Sequence, residues 1–336
     1  MVEIKDLLGR KVTIPAEPKR VVCLRPGALR LLSYIGETDK VVGIEQVETG
    51  GDDRPYMIAY PELLQLPFVG PRGGDNELIL NVSPDLILTT YTTVAEANAL
   101  EKTLNVPVVA LEHPEFGNNA EPLYRSLELA GKILNRKERA DSLIEYIRRT
   151  ISDLNNRSLY VKNREIAYIG GIAHGRARGL NSTHPIYPPF IFTNVANTIK
   201  ETSASMEYSL SGAYIDLEQL WLYNPETIFI DESGLDVCIE DMIRHSGWIK
   251  YFKSYNNKRI FTLLPYNSYA ANYETALLNA WFVGKTLYPS EFADVDIIDK
   301  GNEIMDMFFG RPILNKVLTP NSFKSIIELK CLILGT

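Results

Sequence analysis

At 336 residues, with 45% hydrophobic and 23% charged residues, the chain is long enough for about two globular domains, each with its own core. Its net charge of -7 and pI near 5.3 argue against nucleic acid, which requires a basic face, while leaving room for local basic pockets; no run of about 18 apolar residues offers a membrane span. Cys23, Cys238 and Cys331 are scattered without a CxxC pair, so neither a zinc ribbon nor a disulfide scaffold follows, and their apolar neighbours favour buried thiols.

In chain order, "RVVCL" at 20–24 reads as a strand, "GALRLLSYIG" at 27–36 as its helix and "KVVGIE" at 40–45 as the next strand. "PDLILTT" at 84–90 and "VPVVALE" at 106–112 continue the series. The later half repeats it with "EIAYIGGI" at 165–172, "PETIFID" at 225–231 and "RIFTL" at 259–263. Short β-branched runs alternating with helical patterns predict parallel α/β layers. Between the halves, apolar residues at Leu134, Ala140, Leu143, Ile144, Ile147, Ile151 and Leu154 have the spacing of an amphipathic helix over about 136–156. Without the Gly/Ser content of a flexible linker, it makes a stiff connector. An internal echo pairs "ELILNVSPDLILTT" from Glu77 with "EQLWLYNPETIFID" from Glu218: Glu, a helix, a Pro seven positions on, then a buried strand.

"GGIAHGRARG" at 170–179 lacks GxGxxG spacing and any GK[ST], so nothing specific supports nucleotide binding. No GxSxG or HExxH arrangement is present either.

The opening "DLLGRKVTIPAEPKRVVCLRPGALRLLSYIGETDKVVGIE", together with "GPRGGDNELILNVSPDLIL" and "IDLEQLWLYNPETIFID", resembles class III substrate-binding proteins of ABC importers. These are the ferric-siderophore, haem and cobalamin binders, and the likeness covers nearly the whole chain in order. The resemblance implies two Rossmann-like lobes with central, mostly parallel sheets, joined by a single long rigid α-helix, with a ligand cleft between them. The expected organisation is an N-terminal lobe over 1–135, a connecting helix over 136–157 and a C-terminal lobe over 158–336. It implies a receptor rather than an enzyme, working outside the cytoplasmic membrane and touching the membrane only through a lipid anchor or the permease. The start of the chain shows no basic-then-apolar leader. Glu77 and Glu218 match the family's permease-docking glutamates; the alternative is an acidic residue favouring a helix N-terminus. "PYNSYAANYETALLNAWFVGKTLYPSEFADVD" at 265–296 is similar to an iron-uptake subgroup, which implies a ferric siderophore-like chelate as ligand and no separate cofactor.

In open α/β sheets ligands sit off the carboxyl ends of strands. That rule sends Arg25 to the ligand, the alternative being an ion pair at the lobe surface. It adds Arg54 and Tyr56 from "GGDDRPYMIAYPEL", Arg72 from "GPRGGDN", Tyr91 after its strand and His113 after the next. The second lobe offers His174, Arg176, Arg178, His184 and Tyr187, followed by Tyr266, Asn267 and Tyr269. Arginine forks suit carboxylate, catecholate or phosphate oxygens, and tyrosines give flat apolar area with one polar end. A bare-metal site would need converging His, Asp or Glu, and the chain has four histidines; an indirect iron ligand is sought among His113, His174, His184 and Tyr266. His245 is expected at a surface or helix end. A corrinoid or haem is the other cargo within the family, and an enzyme acting on a metal chelate is the alternative of another class. The apolar C-terminal segment "SFKSIIELKCLILGT" is expected to complete the second lobe's core.

Overall fold

The computed structural model describes the whole chain except residues 51–53, 115, 118, 174, 201–206, 210, 211 and 327–336. His174, Cys331 and most of the C-terminal apolar segment therefore lie outside the described residues, although Ile326 is buried in a core cluster. The chain divides into two compact units: Met1–Arg148 with Tyr269–Ala271 and Met305–Ile313, and Arg149–Ser268 with Asn272–Ile304 and Leu314–Thr336.

In the first unit, β1 (Val2–Lys5) and β2 (Lys11–Ile14) form an antiparallel hairpin. The alternating burial of β2, with Ile4 the buried residue of β1, is that of a sheet with one wet face. Then β3 (Val21–Leu24), β4 (Val41–Gly43), β5 (Leu86–Thr89) and β6 (Val108–Ala110) form an all-parallel sheet in the order β4-β3-β5-β6. Every residue of β3, β5 and β6 is buried, as continuous apolar strands covered on both faces must be. Buried Val22, Leu24, Ile79, Ile87 and Val108 share one core cluster.

The second unit repeats this plan. Its strands β7 (Ile166–Gly170), β8 (Ser182–Thr183), β9 (Ala196–Asn197), β10 (Glu207–Ser209), β11 (Gly212–Tyr214), β12 (Thr227–Asp231) and β13 (Ile260–Leu263) make two sheets. One is all parallel, ordered β13-β12-β7-β9; the other is the antiparallel β10-β11-β8. Counted along the chain, each parallel sheet has its first strand between its second and third. The strand order therefore reverses beside β3 and beside β7, where an open α/β sheet leaves a crevice at its carboxyl edge.

The helix Lys137–Ser158 has 22 residues. It buries Ala140, Leu143, Ile144, Ile147 and Leu154, one face of a 3.6-residue period. The division between units falls within this helix, at Arg148 and Arg149, not at its ends. The two halves have different partners: Arg148 lies over the Tyr124 ring at 4.5 Å in the first unit, and Arg157 binds both Asp294 oxygens at 2.6 and 2.9 Å in the second.

Candidate functional site

The carboxyl edge of the first unit's sheet carries a charged cluster. Helix Ala28–Ile35 follows β3, and all eight of its residues are buried, including Arg30. Its first turn begins at Gly27, whose φ of +91 suits glycine, and a Cβ there would lie 1.9 Å from His113 Cδ2. Arg30 Nη1 sits 3.5 Å from His113 Nε2 and donates to the Tyr269 carbonyl at 3.2 Å. Its guanidinium lies 4.8 Å from the Tyr56 ring centroid. Burial and then the neighbouring Arg30 charge hold the His113 imidazole well below its usual range, so the ring is neutral near pH 7.

Two carboxylates answer these cations. Glu48 accepts from Arg54 Nη1 at 2.9 Å and from the Tyr56 hydroxyl at 2.5 Å, and all three side chains are buried. Burial raises the Glu48 carboxyl, opposed by the Tyr56 hydrogen bond and by Arg54 and Arg30; a buried pair is tolerated when its remaining lone pairs are hydrogen-bonded. Glu45 accepts the Tyr269 hydroxyl at 2.7 Å and the Gly73 amide at 2.5 Å. The Tyr269 ring lies against two guanidiniums, with Arg54 4.9 Å and Arg72 5.7 Å from its centroid, within cation–π range. Arg72 is exposed and makes no ion pair or hydrogen bond among the described residues. Among the described residues, Arg30 and Arg54 lie near Glu48, and Arg72 meets the cluster at the Tyr269 ring.

Arg25 takes a different direction. At the end of β3, with φ +70, it donates to the Tyr91 carbonyl and meets Glu96 Oε2 at 3.4 Å. It lines a separate cavity of about 300 Å³ with Asn76, Thr92 and Glu96. Tyr91 is exposed and its hydroxyl donates to the His113 carbonyl at 2.8 Å.

In the second unit, Arg176 and Arg178 line a concavity of about 590 Å³ with Asn181, Tyr214 and Asp241. Arg178 lies 5.5 Å from the Tyr214 ring centroid, and its Nε is buried without a partner among the described residues. His184, Tyr187 and Tyr266 are instead buried together, with the His184 ring 6.4 Å from Tyr187 and 5.8 Å from Tyr266. Tyr187 accepts from Asn279 Nδ2 at 3.3 Å. Beside them Asp231, at the end of β12, accepts the Tyr266 amide at 2.9 Å and the Ser233 amide at 3.0 Å. Burial lifts the Asp231 carboxyl to about 7. Asn267 is half-buried. His245 caps the helix Leu235–Arg244 at its C-terminus. Among the described residues no group of three or more His, Cys, Asp or Glu is placed to hold a metal ion.

Sequence reasoning missed Arg30, Glu45 and Glu48. Arg30 carried a signal: a single charge inside "GALRLLSYIG", where every neighbour is apolar or small, is costly to bury unless it is compensated. Glu45 and Glu48 looked like ordinary members of an acidic chain.

A family model described as "Periplasmic binding protein" matches residues 21–266. The chain belongs to this family. Like the family, it is a binding protein and not an enzyme, it acts outside the cytoplasm, and it delivers a small-molecule ligand to the permease of an ABC transporter. The molybdate-binding protein MolA of Haemophilus influenzae is 25% identical over 91% of this chain and 90% of its own. A Bacillus subtilis substrate-binding lipoprotein of an ABC transporter, YvrC, is 26% identical over 49% of each chain. The solved structure of molybdate-bound MolA superposes with a TM-score of 0.74 at 21% identity, covering 93% of this chain and 99% of that one. Helicobacter pylori CeuE with Ni(II) bound superposes with a TM-score of 0.66 at 18% identity, covering 94% of this chain and 98% of that one. These likenesses establish two lobes built on parallel sheets. Among the described residues no helix is long and apolar enough to cross a membrane.

Proposed function

We propose that this binding protein captures a small metal-bearing anion, with a tetrahedral oxyanion of the molybdate kind as the best-supported cargo. The observation that carries the reading is Arg72: an exposed guanidinium at the edge of a charged cluster, with neither ion pair nor hydrogen bond among the described residues. An arginine fork is made for oxyanions. Arg176 and Arg178 offer the same chemistry beside the second unit's concavity. The full-length relative from Haemophilus is named for binding molybdate. An anionic ferric chelate is the second reading, favoured by the exposed Tyr91 and the half-buried Tyr269. Under either reading Glu77 and Glu218, both exposed, are proposed to dock on the permease.

The test is isothermal titration of the purified protein with sodium molybdate, ferric citrate, a ferric catecholate, haemin and cobalamin, repeated on Arg72→Ala. Molybdate is expected to bind, and the variant to bind it about tenfold or more weakly, the worth of a lost charge-assisted hydrogen bond. Binding of a ferric chelate alone would install the second reading. Binding of haemin or cobalamin alone, with Arg72→Ala indistinguishable from wild type, would remove both.

A further inference from the structure

Tyr269 and Ala270 both have left-handed backbone, at φ +52 and +76. Neither is glycine, and side chains of L-residues crowd the following carbonyl in that region. Such a pair persists only when its surroundings hold it. Here the holding contacts of Tyr269 come from three arginines and one glutamate. The Tyr269 carbonyl accepts from buried Arg30 at 3.2 Å, its ring faces Arg54 at 4.9 Å and Arg72 at 5.7 Å, and its hydroxyl is tied to Glu45 at 2.7 Å. One tyrosine thus presents a carbonyl lone pair to one guanidinium and the negative face of its ring to two others, which is the electrostatic service an anion would perform.

Building on the anion-binding reading, we propose that Tyr269 is an internal occupant of the anion seat: it stands on Arg30 and Arg72, and an incoming oxyanion displaces it. Glu45 acts as the latch, since it accepts the hydroxyl only while the tyrosine is seated. Strain at Tyr269 and Ala270 works the other way, lowering the cost of departure. Apparent affinity is then the intrinsic affinity reduced by the fraction of molecules whose seat is open.

Two variants separate this from a tyrosine that simply touches the ligand. Tyr269→Phe removes the latch and keeps the ring, so molybdate is expected to bind about tenfold tighter by titration. Ala270→Gly relieves the strain of the seated state and is expected to bind about fivefold more weakly. In wild type, hydrogen exchange at residues 269–271 is expected to quicken when molybdate is added. Circular dichroism and melting curves confirm that both variants are folded. If wild type binds molybdate and Tyr269→Phe binds it equally or less well, the occupant model is overturned while the anion reading stands; slower exchange on binding counts against it in the same way. If wild type fails to bind and Tyr269→Phe succeeds, the occupant model is supported in its strongest form. If none of the three proteins binds molybdate or ferric citrate, both readings fall.

Discussion

Gly27 shows how one residue can hold a site in shape. Its left-handed backbone at φ +91 lets the His113 ring lie where a side chain would be, 1.9 Å from the position of a Cβ. Gly27→Ala must both strain the backbone and push away a buried ring that neighbours Arg30. The expected loss is about 2–4 kcal/mol by urea denaturation, combining overpacking with left-handed strain; an unchanged midpoint would mean that the ring moves freely. At Asp231 the issue is protonation. Burial, with a smaller contribution from Glu232, raises the carboxyl from 3.8 to about 7, against the pull of the Ser233 and Tyr266 hydrogen bonds. The folded protein therefore holds this proton between about pH 4 and 7 while the unfolded chain has released it. The contribution is fully present below the unfolded value and is lost as pH rises through about 7. Burial raises Glu48 as well, so it acts in the same direction. Melting temperatures of Asp231→Asn should fall less steeply than wild type from pH 5 to 7.5, and parallel curves would show that Asp231 is not the group responsible.

Two short helices state the internal echo in three dimensions. Asn76–Asn81 and Leu217–Tyr223 each follow an aspartate, Asp75 and Asp216, at the cap position. Each buries one apolar anchor completely, Ile79 and Leu220. Each is followed within two residues by a left-handed residue, Ser83 at φ +44 and Asn224 at φ +45, before a proline and a buried strand. Leu80 and Trp221, at matching positions, are both 46% exposed. Helices of six and seven residues are too short to hold themselves in water, so the anchors decide whether they form. Ile79→Ala and Leu220→Ala are each expected to cost about 2–5 kcal/mol in chemical denaturation. A cost below about 1 kcal/mol at either position would mean that the proline and turn, and not the anchor, fix the helix.

At the scale of the whole molecule, Glu77 and Glu218 stand one in each unit, exposed on those two helices. If they dock on the permease, Glu77→Lys and Glu218→Lys will leave anion affinity unchanged and reduce transporter-dependent uptake, since reversing a charge at an interface juxtaposes like charges. Uptake that survives the double substitution would reassign them to their helix ends. The sequence by itself determined the layered α/β class, the strands from "RVVCL" to "RIFTL", the long helix and the family. The class, the strands and the helix follow from periodicity and local chemistry, which are properties of neighbouring residues, and the family follows from the resemblance of its quoted segments. Only the tertiary structure decided that Arg25 turns to Glu96 and Tyr91, that Arg30 lies buried beside His113, and that Tyr269 joins the first unit's charged cluster. It also decided that His184, Tyr187 and Tyr266 are buried together. Those outcomes depend on which groups distant in the chain meet at a strand end, and on whether a charge there finds its compensation. Neither is written in the spacing of residues along the chain.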